Sequence, residues 1–204
     1  MTEPYVFEID DVLSEESCKH IIQKYESDNR KFDGVIGSQK EVDKTKKTSI
    51  DLDISGCAME DMELGDDEWK KIDDQIKENL TLGYQKYVDH IATQFKEQFE
   101  QSGFQVFRSQ LHDTGYQMQR TDPGGFYIWH TDFNPNEKRI LTFIFYLNDV
   151  HEEDGGATEF IGNVKVQPKR GKLLLFPATW TGVHRGSVLK RGVKYLITGW
   201  LHYK

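Results

Sequence analysis

From residue 104 onward the chain breaks into short alternating segments separated by turn residues. No other feature of the sequence limits its possible folds as much. The segments are 104–111, 115–121, 126–133, 139–147, 157–161, 164–167, 172–176, 182–189 and 193–203, with Gly, Pro and Asp between them. Short, evenly spaced strands divided in this way specify an all-β barrel or sandwich. The first half reads differently. Residues 5–10 alternate as a strand. Ser14 is placed to cap a helix whose first turn carries Glu15 and Glu16, which the helix dipole favours. Leu13, Cys18, Ile21, Ile22 and Tyr25 then recur at helical spacing and predict a helix over about 15–27. Residues 28–48 are polar, with Gly34 and Gly37, and predict a mobile loop. A strand is expected over 48–55. Trp69, Ile72, Ile76, Leu80, Tyr84, Tyr87, Ile91, Phe95 and Phe99 form one helical stripe over 66–101. Gly83 is a candidate break in it, and Ser102-Gly103 its stop. The stripe is most simply a core face laid against the β half.

The expected organisation is one domain over 1–204. Residues 1–103 are support and loop, and 104–204 are the β core. A chain of 204 residues hides roughly 70% of its unfolded surface on folding, so it needs neither disulfides nor a structural metal. The net charge of −8 lowers the expectation of a nucleic-acid partner. The basic run Lys44-Thr45-Lys46-Lys47 reads as a solvated loop. No apolar stretch reaches the ~20 residues of a bilayer span, and Met1-Thr2-Glu3-Pro4 lacks the basic then apolar pattern of a signal peptide, so none is expected. Cys18 and Cys57 have no metal-ligand spacing and are expected as buried, reduced thiols. The expected location is the cytoplasm.

The chemistry concentrates in Tyr127-Ile128-Trp129-His130-Thr131-Asp132. On a strand, residues two apart share a face, so His130 and Asp132 can present an imidazole and a carboxylate together. His184, in Gly182-Val183-His184-Arg185-Gly186, is the best third ligand. Two histidines and a carboxylate form a facial triad, the set used by non-haem Fe(II) that must keep positions open. Zinc prefers a tetrahedral site. His-x-Asp alone is a weak signal. Lys194 lies on an otherwise apolar strand with Leu196, Thr198 and Trp200 on its face. It is either an edge lysine facing water or an inward cation that needs an anion, because a buried unpaired ammonium is costly. In the second reading it binds the distal carboxylate of a dicarboxylic co-substrate, and Thr198 and Tyr146 could add hydroxyl hydrogen bonds. Trp129 alternates away from His130 and is expected in the core.

Taken in order, these residues resemble the 2-oxoglutarate/Fe(II)-dependent dioxygenases, in their prolyl 4-hydroxylase-like branch. The likeness is carried by Pro123-Gly124-Gly125-Phe126-Tyr127 before His130-x-Asp132, Asn134-Pro135-Asn136, Arg139-Ile-Leu-Thr142 and Tyr146-Leu147-Asn148. It continues through Gly155-Gly156-Ala157-Thr158-Glu159-Phe160, Pro168-x-x-Gly171, Phe176-Pro177, His184-Arg185-Gly186, Lys194 and Trp200. The resemblance implies a mainly β fold with N-terminal helices, a double-stranded β-helix (jelly roll) supported by the long helix. It implies iron on His130, Asp132 and His184, and 2-oxoglutarate on Lys194 with Tyr146 and Thr198. It places Arg139 near the substrate and the 28–48 loop over it as a lid. The implied reaction uses O2, with ascorbate as an auxiliary reductant, to hydroxylate an unactivated C–H bond, foremost that of a prolyl residue in a peptide or protein. A free amino acid or other small molecule is the alternative substrate, and a catalytically silent metal-binding jelly roll the alternative function. Oxidative nucleic-acid dealkylation fits the acidic balance poorly, and a zinc hydrolase leaves Lys194 unexplained. One departure stands out: Thr121 fills a position where the family often carries tyrosine. The oligomeric state is open.

Overall fold

A computed structural model describes residues 3–37, 40–58, 67–101 and 111–204. The expected strand start at 104–110 and the expected helix stop at Ser102-Gly103 lie outside them. The N-terminal half contains β1 (Phe7–Ile9), α1 (Glu15–Ser27), β2 (Phe32–Asp33), β3 (Ser49–Asp53), α2 (Asp67–Gln94) and α3 (Lys96–Gln101). The C-terminal half contains β4 (Leu111–Asp113), β5 (Gln117–Thr121), β6 (Tyr127–His130), β7 (Arg139–Tyr146) and β8 (Thr158–Phe160). It ends with β9 (Lys165–Val166), β10 (Leu173–Pro177), β11 (His184–Gly186) and β12 (Lys194–Tyr203).

The strands form two antiparallel sheets. The larger has eight strands in the order β1-β10-β7-β12-β5-β3-β2, with β4 also on β12; the smaller runs β6-β11-β8-β9. Together they are the double-stranded β-helix of the expected jelly roll. Apolar side chains from both sheets meet in between: Ile144, Tyr146, Leu174, Phe176 and Leu196 from the large sheet, Phe160 and Val166 from the small one. The other face of the large sheet packs on the helices. There Phe143, Phe145, Leu173, Leu175, Ile197 and Leu201 join Trp69, Ile72, Ile76, Leu80, Tyr87 and Ile91 of α2. Fully burying each such side chain contributes about 1.5–3 kcal/mol.

Local chemistry explains the helix ends. Ser14 Oγ accepts from the Ser17 backbone N–H at 3.0 Å, capping α1, and Glu15 and Glu16 occupy its first turn. Asp28 closes the other end: its carboxylate accepts from Arg30 and, at 2.8 Å, from the Trp69 indole. This ties α1 to α2. The Arg30 hydrogen bond outweighs burial and holds the Asp28 carboxyl well below the usual range. Gly83 does not interrupt α2, which runs through to Gln94. Its missing side chain serves packing instead, since a Cβ there would stand 2.2 Å from Leu173 Cδ2 of β10. Among the described residues no helix is long and apolar enough to cross a membrane.

The 28–48 segment carries more structure than a plain loop. β2 pairs with β3, and Ile36 makes an antiparallel bridge to Glu41. Lys44 pairs with Asp33 and Lys46 with Asp43. The returning strand hydrogen-bonds along the start of β6, through Thr48 N–H to Phe126 O at 3.1 Å and Ile128 N–H to Lys46 O at 2.9 Å.

Candidate active site

Two strands of the small sheet bring the triad together. His130 ends β6, and His184 begins β11 directly opposite it. Asp132 follows two residues beyond the strand end. The potential ligand atoms of His130, Asp132 and His184 all lie within 4.8 Å of one another. Each imidazole stands 3.8 Å from an Asp132 oxygen, beyond hydrogen-bond range. Both rings are oriented from behind. His130 Nδ1 donates to Ile128 O at 2.8 Å and His184 Nδ1 to Gly182 O at 3.0 Å. That arrangement leaves both Nε2 lone pairs facing the carboxylate, as metal-binding imidazoles require.

Electrostatics prepare the same donor set. Burial, followed by the neighbouring His184, pulls the His130 pKa down to about 4, so its ring is neutral at pH 7. Burial alone would raise the Asp132 carboxyl. The two histidines, the Thr142 hydroxyl and the Trp200 indole outweigh it and hold the carboxyl below its ordinary value. Thr142 Oγ1 donates to Asp132 Oδ2 at 2.7 Å. Two imidazoles and one carboxylate, converging without bonding one another, fit a divalent iron ion.

A cavity of about 610 Å³ opens from the triad. Lys194 and Thr198 of β12 line it, with Thr121, Thr158, Tyr127, Phe133, Arg139 and Trp200 among the other walls. Lys194 is 5% exposed. Its ammonium donates to Gly156 O at 3.0 Å, and among the described residues no carboxylate pairs with it. The water-facing alternative for this lysine is therefore removed. A Cβ at Gly186 would stand 3.8 Å from its Nζ, in space a bound anion could use. A buried cation lacking its counter-charge, beside open space, fits one carboxylate of a dicarboxylate.

The remaining expected residues are placed as follows. Thr198 lines the cavity, but its hydroxyl donates to Phe143 O at 2.9 Å. Tyr146 is fully buried in the inter-sheet core, and its hydroxyl shares a 2.6 Å hydrogen bond with Thr158, which does line the cavity. Arg139 lies over the Trp200 ring and donates to Glu137 and to the Asp132 carbonyl. Thr121 is buried on the cavity wall, register-paired with Lys194 on one side and Ser49 on the other.

Two expectations are corrected. Trp129 is not core: it is 44% exposed beneath the Arg185 guanidinium. It points away from His130, as alternation requires, but that side of the small sheet is its outer face and not a core. A register shift between β6 and β11 lies just before it, where His184 faces His130 but Gly186 faces Tyr127. The extra residue breaks strict alternation between Tyr127 and His130. It lets the Tyr127 ring stack on His130, with centroids 3.6 Å apart. Lys47 is not a solvated loop residue either. It is buried on the cavity wall and pairs with Asp51 at 2.6 Å, while Ser49 Oγ donates to the other Asp51 oxygen at 2.7 Å. A four-residue basic run carries no sign that its last lysine turns inward. Asp51, two residues on from Ser49 along β3, was the available hint.

The comparisons agree with this site. Residues 116–202 match the model of the 2OG-Fe(II) oxygenase superfamily. That span contains the triad and Lys194, so the part of the chain that carries the site is similar to the 2OG-Fe(II) oxygenase superfamily. Its architecture is, more narrowly, prolyl 4-hydroxylase-like. A prolyl hydroxylase from Trichoplax adhaerens, solved with a peptide fragment of the hypoxia inducible factor oxygen degradation domain, superposes with a TM-score of 0.74 at 16% identity. The match covers 98% of this chain and 84% of that one. A viral collagen prolyl hydroxylase from Paramecium Bursaria Chlorella virus-1, in its 2OG complex, gives 0.61 at 19% identity over 98% and 97%. A Pseudomonas putida prolyl-4-hydroxylase gives 0.63 at 16% over 98% and 93%. At these identities the likeness is one of fold. No curated protein matches the chain.

Proposed function

We propose that the enzyme hydroxylates a prolyl residue in a peptide or protein, with residues 1–204 acting as one dioxygenase domain. The observation that carries the reading is a single cavity holding both the His130-Asp132-His184 cluster and a buried lysine without a carboxylate partner. His130, Asp132 and His184 would hold Fe(II). Lys194 would bind the distal carboxylate of 2-oxoglutarate, with Thr198 beside it and Tyr146 acting through Thr158. Iron and co-substrate, when bound, supply the O2 activation and C–H oxidation that no side chain can perform.

The chain's own residues supply the rest. The two Nδ1 hydrogen bonds keep both imidazoles in the ligating tautomer. Lys194 fixes the co-substrate by charge and hydrogen bond. Ile144 and Leu196 wall the cavity with apolar surface and exclude water from the reacting end. The exposed Phe133 ring offers a flat apolar face suited to a pyrrolidine ring. The cavity reaches from the triad to the exposed Phe133 and to Val35 and Ile36 of the 28–48 segment, which would close over a bound chain as a lid. The structural neighbour solved with a peptide supports a peptide substrate. Both cysteines are buried thiols, which fits a reducing compartment such as the cytoplasm.

The test is succinate release from 2-oxoglutarate, with Fe(II) and O2, over a panel of prolyl peptides and free amino acids, read with product mass. The expected result is succinate stimulated by a peptide that gains one oxygen on proline. Stimulation by free amino acids alone would overturn the peptide reading. No stimulation by any member, from iron-loaded protein, would overturn prolyl hydroxylation.

A further inference from the structure

Asp132 lies past the end of β6, so the ladder of the small sheet does not hold it. Its position is set from the opposite sheet. Thr142 of β7 takes one carboxylate oxygen, and Arg139 Nη1 donates to the Asp132 carbonyl at 3.2 Å. Trp200 of β12 is the cross-strand partner of Thr142. The Arg139 guanidinium lies 3.6 Å from the centre of the Trp200 ring. Arg139 Nε donates to Glu137 Oε2 at 2.6 Å, and Glu137 Oε1 accepts from Asn134 at 3.0 Å. The 132–139 loop is thereby closed on itself around one planar cation.

Trp200 contributes a second observation. Its indole N–H is buried and has no hydrogen-bond partner within range. Orphaned buried donors are rare in native proteins and mark a missing partner. Trp200 lines the same cavity as Asp132, and its cross-strand neighbour Thr142 already holds one oxygen of that carboxylate.

We propose that Arg139 and Trp200 are positioning residues for the Asp132 ligand, forming a stacked clamp whose indole N–H completes its hydrogen bond to Asp132 when a metal draws the carboxylate into place. Arg139 on this view acts on the iron site through Asp132 and not by touching substrate. Only a planar guanidinium can stack on the indole while donating in two directions, so lysine cannot replace it. The inference rests on the iron reading of the triad.

The experiment compares wild type with Arg139→Lys and Trp200→Phe under anaerobic conditions. Trp200→Phe keeps an aromatic ring for stacking, though a smaller one, and removes the N–H donor. Each protein is titrated with Fe(II) at saturating 2-oxoglutarate, following the visible charge-transfer band, and the peptide KM is measured separately. Both variants should bind Fe(II) about 10–100-fold more weakly, as is usual when a ligand's supporting partner is lost. Their band maximum should shift while the peptide KM holds. Unchanged Fe(II) affinity in both variants, with a raised peptide KM for Arg139→Lys, would overturn the clamp and make Arg139 a substrate contact. Wild type that binds no Fe(II) would instead refute the iron reading, and this inference with it.

Discussion

The Lys194 ammonium is buried against the Gly156 carbonyl, 3.0 Å away, with no carboxylate beside it among the described residues. Burial alone brings its pKa from 10.5 down to about 8. Between those values the unfolded chain binds more protons than the folded one, so the ligand-free protein gains stability as pH rises from about 8. The drop corresponds to about 3 kcal/mol of cost at pH 7. Lys194→Met should therefore be more stable than wild type at pH 7 without ligand, and the gap should close toward pH 10. Urea unfolding at several pH values checks this. A gap that is absent at pH 7, or that widens with pH, would contradict it.

The same lysine gives the opposite result for binding. 2-Oxoglutarate needs the charged form, so its affinity should be flat below about pH 7 and weaken about tenfold per pH unit above the pKa of about 8. Lys194→Met should lose about 3–5 kcal/mol of affinity, the cost of stranding one half of a buried ion pair. Calorimetric titration of metal-loaded protein measures both effects. Unchanged affinity in the variant would remove the lysine from the co-substrate site.

The Lys47–Asp51 pair ties the 28–48 segment to β3. Burial pushes the Asp51 carboxyl up, more than the Lys47 and Ser49 contacts pull it down. Lys47→Met strands that carboxyl and should cost about 3–5 kcal/mol of stability. Lys47→Met with Asp51→Leu should recover much of the loss, because the buried charge is gone. A double variant as unstable as the single one in urea unfolding would show that the pair is not the source.

How much of this could be read from the chain alone depended on whether local pattern or long-range packing decides a residue's environment. The period-2 segments after 115 became β5 to β12, and the stripe of Trp69 to Ile91 became the buried face of α2, because a single periodicity governs each. His130 and His184 were legible through their flanking motifs. Trp129 was misplaced because alternation gives the face a residue lies on but not whether anything packs over that face; here it is the outer side of the small sheet. Lys47 was misplaced because its partner Asp51 comes from the adjoining strand β3 and its roof from Tyr127. The support of Asp132 by Thr142 was invisible because the two meet only when the sheets face each other.

Gly182 tests the orientation of the distal histidine. A Cβ there would lie 1.9 Å from the Pro177 carbonyl oxygen, a backbone atom that cannot step aside cheaply. The Gly182 carbonyl is also what His184 Nδ1 donates to. Gly182→Ala should cost about 1–3 kcal/mol of stability and weaken Fe(II) binding together with it. Wild-type melting temperature and metal affinity in this variant would show that the turn tolerates a side chain and does not set the ring.

The central claim is that Fe(II) and 2-oxoglutarate share the site formed by His130, Asp132, His184 and Lys194. An anaerobic titration of the purified protein with both components, followed through the visible metal-to-ligand charge-transfer band, tests it most directly. The account predicts a band that requires both components and is absent from folded Asp132→Ala. No band from folded wild-type protein, or a band that survives in Asp132→Ala, would contradict it.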